Sequence, residues 1–164
     1  MISAVLVAAG LGAGAVAGAL WLRRRYVLIT VRGLSMSPTY RDGDRVLIRR
    51  VPVAAVRPGQ VVVVAAAPPD VAPPDERGHW LLKRVLAVPG DPVPREECPA
   101  LRSVTDPAVP PGHLVVLGDN PSRSYDSRQA GYMTPGRLLG VVTRRFGAAS
   151  PPAAGGRGTR HDSL

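Results

Sequence analysis

The chain has 164 residues, 45% of them hydrophobic but only 4% aromatic, with 18 Gly and 18 Pro. That is room for one compact domain plus an anchor or tails, with a core that Val, Leu and Ala must fill. The formal charge of +9 calls for an anionic partner, yet no basic stripe interleaved with aromatics accompanies it, so no nucleic acid is expected and a membrane surface fits better.

Residues 2–22 carry no charge. As a helix they span a bilayer core of about 30 Å, and they read as a transmembrane anchor. A cleaved secretory signal is the rival reading, but Met1-Ile2-Ser3 lacks a basic residue and the apolar stretch is long. Gly10, Gly14 and Gly18 recur every fourth residue and offer a small-residue groove for self-association. Arg23, Arg24 and Arg25 abut the apolar stretch.

The pattern then turns to β. Short runs rich in Val, Ile and Leu cover 26–32, 45–49, 60–66, 80–88, 114–117 and 140–146. Turn formers such as Arg41-Asp42-Gly43-Asp44 and Val88-Pro89-Gly90-Asp91 separate them. The expected fold class is all-β, a β-rich domain over 26–147. Residues 68–78 read as a polar, Pro-rich loop. Residues 148–164 read as a disordered Pro/Gly/Arg tail.

Cys98 is the sole cysteine. It excludes an internal disulfide and a multi-Cys zinc site, and reads as a bystander thiol. His79, His113 and His161 lack metal-ligand spacing, so neither metal nor cofactor is expected.

Among 21 Lys plus Arg residues only Lys83 is a lysine. Arg keeps its proton in essentially any protein environment, whereas a buried Lys can lose it. Lys83 is therefore a candidate base on composition alone. Strand alternation sets it on one face with Leu81, Val85 and Ala87, where an ammonium is poorly hydrated and its pKa falls. Ser35 follows a strand, in a loop shaped by Gly33 and Pro38. A serine hydroxyl needs a neighbouring base to become a nucleophile, and a neutral lysine can serve. The bland alternatives are an ordinary loop serine and a Lys83–Asp126 salt bridge. Arg84, on the other strand face, needs a partner if buried, and Asp126 is the candidate.

Three segments then stand together: Ser35-Met36-Ser37-Pro38-Thr39; Lys83-Arg84-Val85 with Pro89-Gly90-Asp91; and Gly118-Asp119-Asn120 with Ser124-Tyr125-Asp126-Ser127-Arg128. With Gly43-Asp44-Arg45-Val46 they resemble the motif boxes of type I signal peptidases, including the mitochondrial inner-membrane peptidases, in the family's order. The resemblance implies a membrane-anchored serine endopeptidase with Ser35 as nucleophile and Lys83 as general base. It implies that Ser124 orients the Lys83 amine and that Asp126 and Arg128 form a supporting ion pair, with Arg84 close by. The Ser35 backbone N–H serves the oxyanion, since Gly33 stands where many bacterial members carry a serine donor. Met36 and Leu82, beside the two reactive residues, are expected to line small substrate pockets.

The implied substrates are precursor proteins with signal peptides, bound as an added strand and cut after small residues. A dedicated protease for one exported substrate, or a non-catalytic membrane-tethered basic module, are the alternatives. The charge rule would put Arg23–Arg25 in the cytoplasm. The resemblance implies a single-pass plasma-membrane protein with its catalytic domain on the outer face, and that is the expectation adopted.

Overall fold

The computed structural model describes residues 16–65, 80–134 and 136–147. Residues 16–25 are helical and run without a linker into the first strand. Six strands follow: β1 (Tyr26–Thr30), β2 (Arg45–Arg49), β3 (Val61–Ala65), β4 (Trp80–Ala87), β5 (Val115–Leu117) and β6 (Leu138–Phe146). They form one sheet in the order β1-β2-β6-β3-β4-β5, and every neighbouring pair is antiparallel.

The β-rich reading is thus what the chain adopts, with strand ends within about two residues of those expected. The remaining described elements are three single-turn 3₁₀ segments and a four-residue helix at Ser127–Ala130. Most of the expected anchor, the 68–78 loop and the 148–164 tail lie outside the described residues, as do Gly10 and Gly14. Among the described residues no helix is long and apolar enough to cross a membrane.

Burial explains the strand order. β3 reads Val-Val-Val-Val-Ala and is buried at every position, as a strand covered on both faces must be. One face of the sheet carries Val46, Ile48, Val63, Leu82 and the loop residue Met36. The other carries Val62, Val64, Val85, Val116 and Met133. A third cluster packs Ala87 and Val115 against Val93, Cys98 and Leu101 from the connection between β4 and β5. Cys98 is a fully buried member of that core, and burial pushes its thiol up to about 11. Gly140 sits where β6 crosses β2, and any side chain there would run into the Arg49 carbonyl.

Candidate active site

Lys83 lies mid-strand in β4, opposite Val62 of β3. Only 2% of it is exposed. Burial is the main reason its pKa is lowered; Asp126 pulls it back up, and Arg128 adds to the lowering. The amine donates a hydrogen bond to Ser124 Oγ at 2.7 Å. Ser124 Oγ in turn donates to Asp126 Oδ2 at 2.6 Å.

Asp126 is held on several sides. The Gly118 N–H donates to Oδ2 at 2.8 Å, Arg128 Nη1 pairs with Oδ2 at 3.2 Å, and the Arg128 N–H donates to Oδ1. Arg128 Nη2 also donates to the Gly118 carbonyl. Asp126 caps the Ser127–Ala130 helix in a capping box with Gln129. Its position is therefore fixed by local backbone geometry as well as by charge.

Gly118 is the meeting point. Arg84 pairs with Leu117 across β4 and β5, so the next residue on each strand brings Gly118 beside Lys83. A side chain at Gly118 would collide with Ser124 Oγ and with the Ser35 carbonyl oxygen. That same carbonyl accepts from the Asn120 N–H at 2.9 Å. The loop carrying Ser35 is thereby stitched to the segment that carries Ser124. The amine's hydrogen bond runs to Ser124, and Ser35 as a residue is half-buried.

One alternative reading falls and one candidate partner needs correction. Lys83 forms no ion pair with Asp126 among the described residues; the carboxylate's ionic partner is Arg128 and the lysine reaches it only through Ser124. Arg84 pairs not with Asp126 but with Asp119, bidentately, at 2.8 and 2.6 Å. Asp126 faces the Lys83 side of β4, while Arg84 points to the opposite face, so alternation along the strand forbids the expected pair. Hydrogen bonding to Arg84 holds Asp119 below the usual carboxylate range. Arg84 also donates to the Gly59 carbonyl.

Met36 and Leu82 are packed together in the first core cluster, 1% and 5% exposed. A cavity of about 250 Å³ lies on the other side, against Lys83, Leu81, Val116, Tyr125, Tyr132 and Met133.

Sequence reasoning missed one residue that holds the Ser35 loop. Arg145 of β6 pairs with buried Asp44 at 2.8 Å, donates to the Thr39 carbonyl at 2.6 Å, and lies over the Tyr40 ring. Asp44 also accepts the Arg41 N–H. In a chain this rich in Arg, no local pattern singles out one arginine near the end of a strand. The Gly43-Asp44 box was the available signal: a carboxylate 3% exposed requires a cation.

Comparison with known proteins brings these observations together. The family model described as "Signal peptidase, peptidase S26" matches residues 2–101 and 94–146. The chain belongs to the signal peptidase family, peptidase S26. Signal peptidase relatives are similar across most of the chain. One is "Probable signal peptidase I-1" of Synechocystis, 28% identical over 140 residues, covering 71% of this chain and 68% of the relative. A second Synechocystis protein, "Probable signal peptidase I-2", is 28% identical over 128 residues, with 68% and 59% covered. "Signal peptidase IB" of Staphylococcus aureus is 29% identical over 153 residues, with 71% and 75% covered. In this signal peptidase family member the matched region takes in the whole described sheet, and with it Ser35, Lys83, Ser124 and Asp126.

Proposed function

We propose that the chain is a membrane-anchored serine endopeptidase that removes signal peptides from exported precursors, with Ser35 and Lys83 as its dyad. The observation that carries this reading is the state of the Lys83 amine. It is buried, its pKa is lowered, and its neighbour Ser124 has already committed its own proton to Asp126. An ionised carboxylate only accepts, so Ser124 can only accept from the lysine. A neutral amine that donates one hydrogen to Ser124 keeps its lone pair free for another hydroxyl. Membership of the family and the stitching of the Ser35 loop at Gly118 support Ser35 as that hydroxyl.

The chemistry follows. Lys83 Nζ takes the Ser35 hydroxyl proton as Oγ attacks the scissile carbonyl. The oxyanion accepts from the Ser35 backbone N–H. The resulting lysine ammonium gives its proton to the leaving amine, so the carbon–nitrogen bond breaks and an acyl-serine ester remains. Water, deprotonated by the again neutral Lys83, hydrolyses that ester, and the proton returns to Ser35.

The precursor binds extended, with small residues before the scissile bond; Met36 and Leu82, neighbours of Ser35 and Lys83, are packed in the core and bear on that site as support behind it. Residues 2–22 anchor the chain once through the plasma membrane, with residues 26–147 as a peptidase domain on the outer face. The exposed apolar side chains of Val16, Leu20, Trp21 and Leu22 support the lower end of that anchor, since such a helix surface is costly in water.

The test is cleavage of an exported precursor ending its signal in Ala-X-Ala by detergent-solubilised protein, with the cut mapped by mass spectrometry. A single cut after that alanine, abolished in a folded Ser35→Ala variant, is expected. Cleavage at the wild-type rate by Ser35→Ala would remove Ser35 from the nucleophile role.

A further inference from the structure

We infer that the cavity beside Lys83 is the pocket for the first residue of the mature protein, and that it selects an apolar side chain the size of Leu or Met there. This selection rests on the peptidase reading above. Chemistry places the residue first. The base that takes the Ser35 proton also gives it to the leaving amine, so the scissile nitrogen comes to lie beside Lys83 Nζ. That nitrogen belongs to the first mature residue. Its side chain is therefore next to Lys83, and Lys83 is itself a wall of the cavity.

Alternation leads to the same side. Consecutive side chains of an extended precursor point to opposite faces. Leu81 and Lys83 are alternate residues of β4, on the face that Val85 shares with Val116 of β5. Leu82 points the other way and packs with Met36. With the small residue before the cut turned to that filled side, the residue after the cut is turned toward the cavity.

The walls fit an apolar occupant. Leu81, Val116 and Met133, with Tyr125 and Ala130, enclose about 250 Å³, room for one such side chain. Tyr125 is 70% exposed and Ala130 is exposed, so the cavity opens to solvent on their side. Asp126, Ser127 and Arg137 on the wall already have partners. Asp126 holds Ser124 and Arg128, Ser127 Oγ accepts from the Val116 N–H, and Arg137 donates to the Ala65 carbonyl. An acidic occupant would favour the ammonium form of Lys83 and hold back the base. An apolar one keeps water from the amine and leaves it neutral.

The test is cleavage, by the full detergent-solubilised chain, of soluble precursor peptides that end their signal in Ala-Gln-Ala. The first mature residue is Gly, Leu or Glu. A companion peptide keeps Gly there and carries Leu in place of Gln. Leu after the cut should raise kcat/KM over Gly by at least about tenfold, the scale that filling an apolar pocket gives. Glu should do no better than Gly. Ala130→Phe narrows the mouth and should bring the Leu-to-Gly ratio close to one. A binding readout uses Ala130→Cys with Ser35→Ala and Cys98→Ala. There the Leu peptide should slow alkylation of the new cysteine, and the Gly peptide should not.

Equal cleavage of the Leu and Gly peptides overturns the proposal, as does a preference for Glu. A gain from Leu only in the companion peptide moves the contact to the other side of the cut and overturns it too. A Leu preference that survives Ala130→Phe unchanged removes it from this cavity. If no peptide is cut, the peptidase reading fails, and alkylation alone then decides the pocket. Protection by the Leu peptide and not the Gly peptide upholds it; equal alkylation with both overturns it.

Discussion

Ser124 Oγ lies 2.7 Å from Lys83 Nζ and cannot donate to it, because its proton is held 2.6 Å away by Asp126 Oδ2. The direction of that chain matters more than its distances. A free hydroxyl could donate to a neutral lysine and occupy the lone pair that a general base needs. With Asp126 in place, the amine has one neighbour that only accepts, and its basic pair is left to point elsewhere.

Asp126→Asn tests the direction. The amide keeps the shape but loses the charge, and its NH₂ no longer compels Ser124 to donate. kcat should fall by more than about tenfold, as the loss of one charged hydrogen-bond partner implies. A second readout separates this from simple damage. Asp126 raises the Lys83 pKa against the effect of burial. Removing its charge should therefore lower that pKa further and move the rising limb of the pH–rate profile to lower pH. A slower variant with an unmoved limb would mean that Asp126 acts only as the helix cap.

Arg145 offers a different handle, on the loop that carries Ser35. Arg145→Met leaves Asp44 buried without its cation and releases the Thr39 carbonyl. Because the arginine side chain is 42% exposed, solvent screens part of the pair, and a loss in Tm of about 5 °C is expected. Arg145→Lys keeps a charge for Asp44 but lacks the planar fork that also reaches Thr39. It should recover Tm more completely than kcat. Equal recovery of both would remove the positioning role.

The strands were legible because Val, Ile and Leu runs alternate with Gly- and Pro-bearing turns, and β3 reads as a strand covered on both sides. The lone lysine was legible because an Arg-rich chain makes it conspicuous. Partner choice was not. Arg84 and Asp119 are 35 residues apart, and only the pairing of β4 with β5 brings them together. Strand alternation could have separated Arg84 from Asp126, since Lys83 and Arg84 point to opposite faces and one carboxylate cannot serve both. Arg145 depends on β6 lying beside β2, a crossover that no local pattern encodes. The burial of Met36 and Leu82 in a shared cluster likewise comes from the fold rather than from their motifs.

Orientation is open to a labelling experiment. A cysteine after Ser150, in intact cells, should react with a membrane-impermeant thiol reagent. The background should be Cys98→Ala, because Cys98 is fully buried among apolar side chains and a serine hydroxyl there would lack a partner. Reaction only after lysis would put the domain in the cytoplasm, as the charges at Arg23–Arg25 alone would have it.

The most direct measurement of the central claim is precursor cleavage by Lys83→Arg across pH, with circular dichroism to establish folding. Burial lowers the Lys83 pKa from 10.5. The reactive species is the neutral amine, so the wild-type rate should rise with pH through that lowered value and then level off. Arginine keeps the charge and most of the stem, and should still reach toward Ser124. It cannot shed its proton, so the rate should fall by about 10² to 10⁴ or more. A folded Lys83→Arg variant that keeps more than about a tenth of the wild-type rate would contradict the assignment of Lys83 as general base.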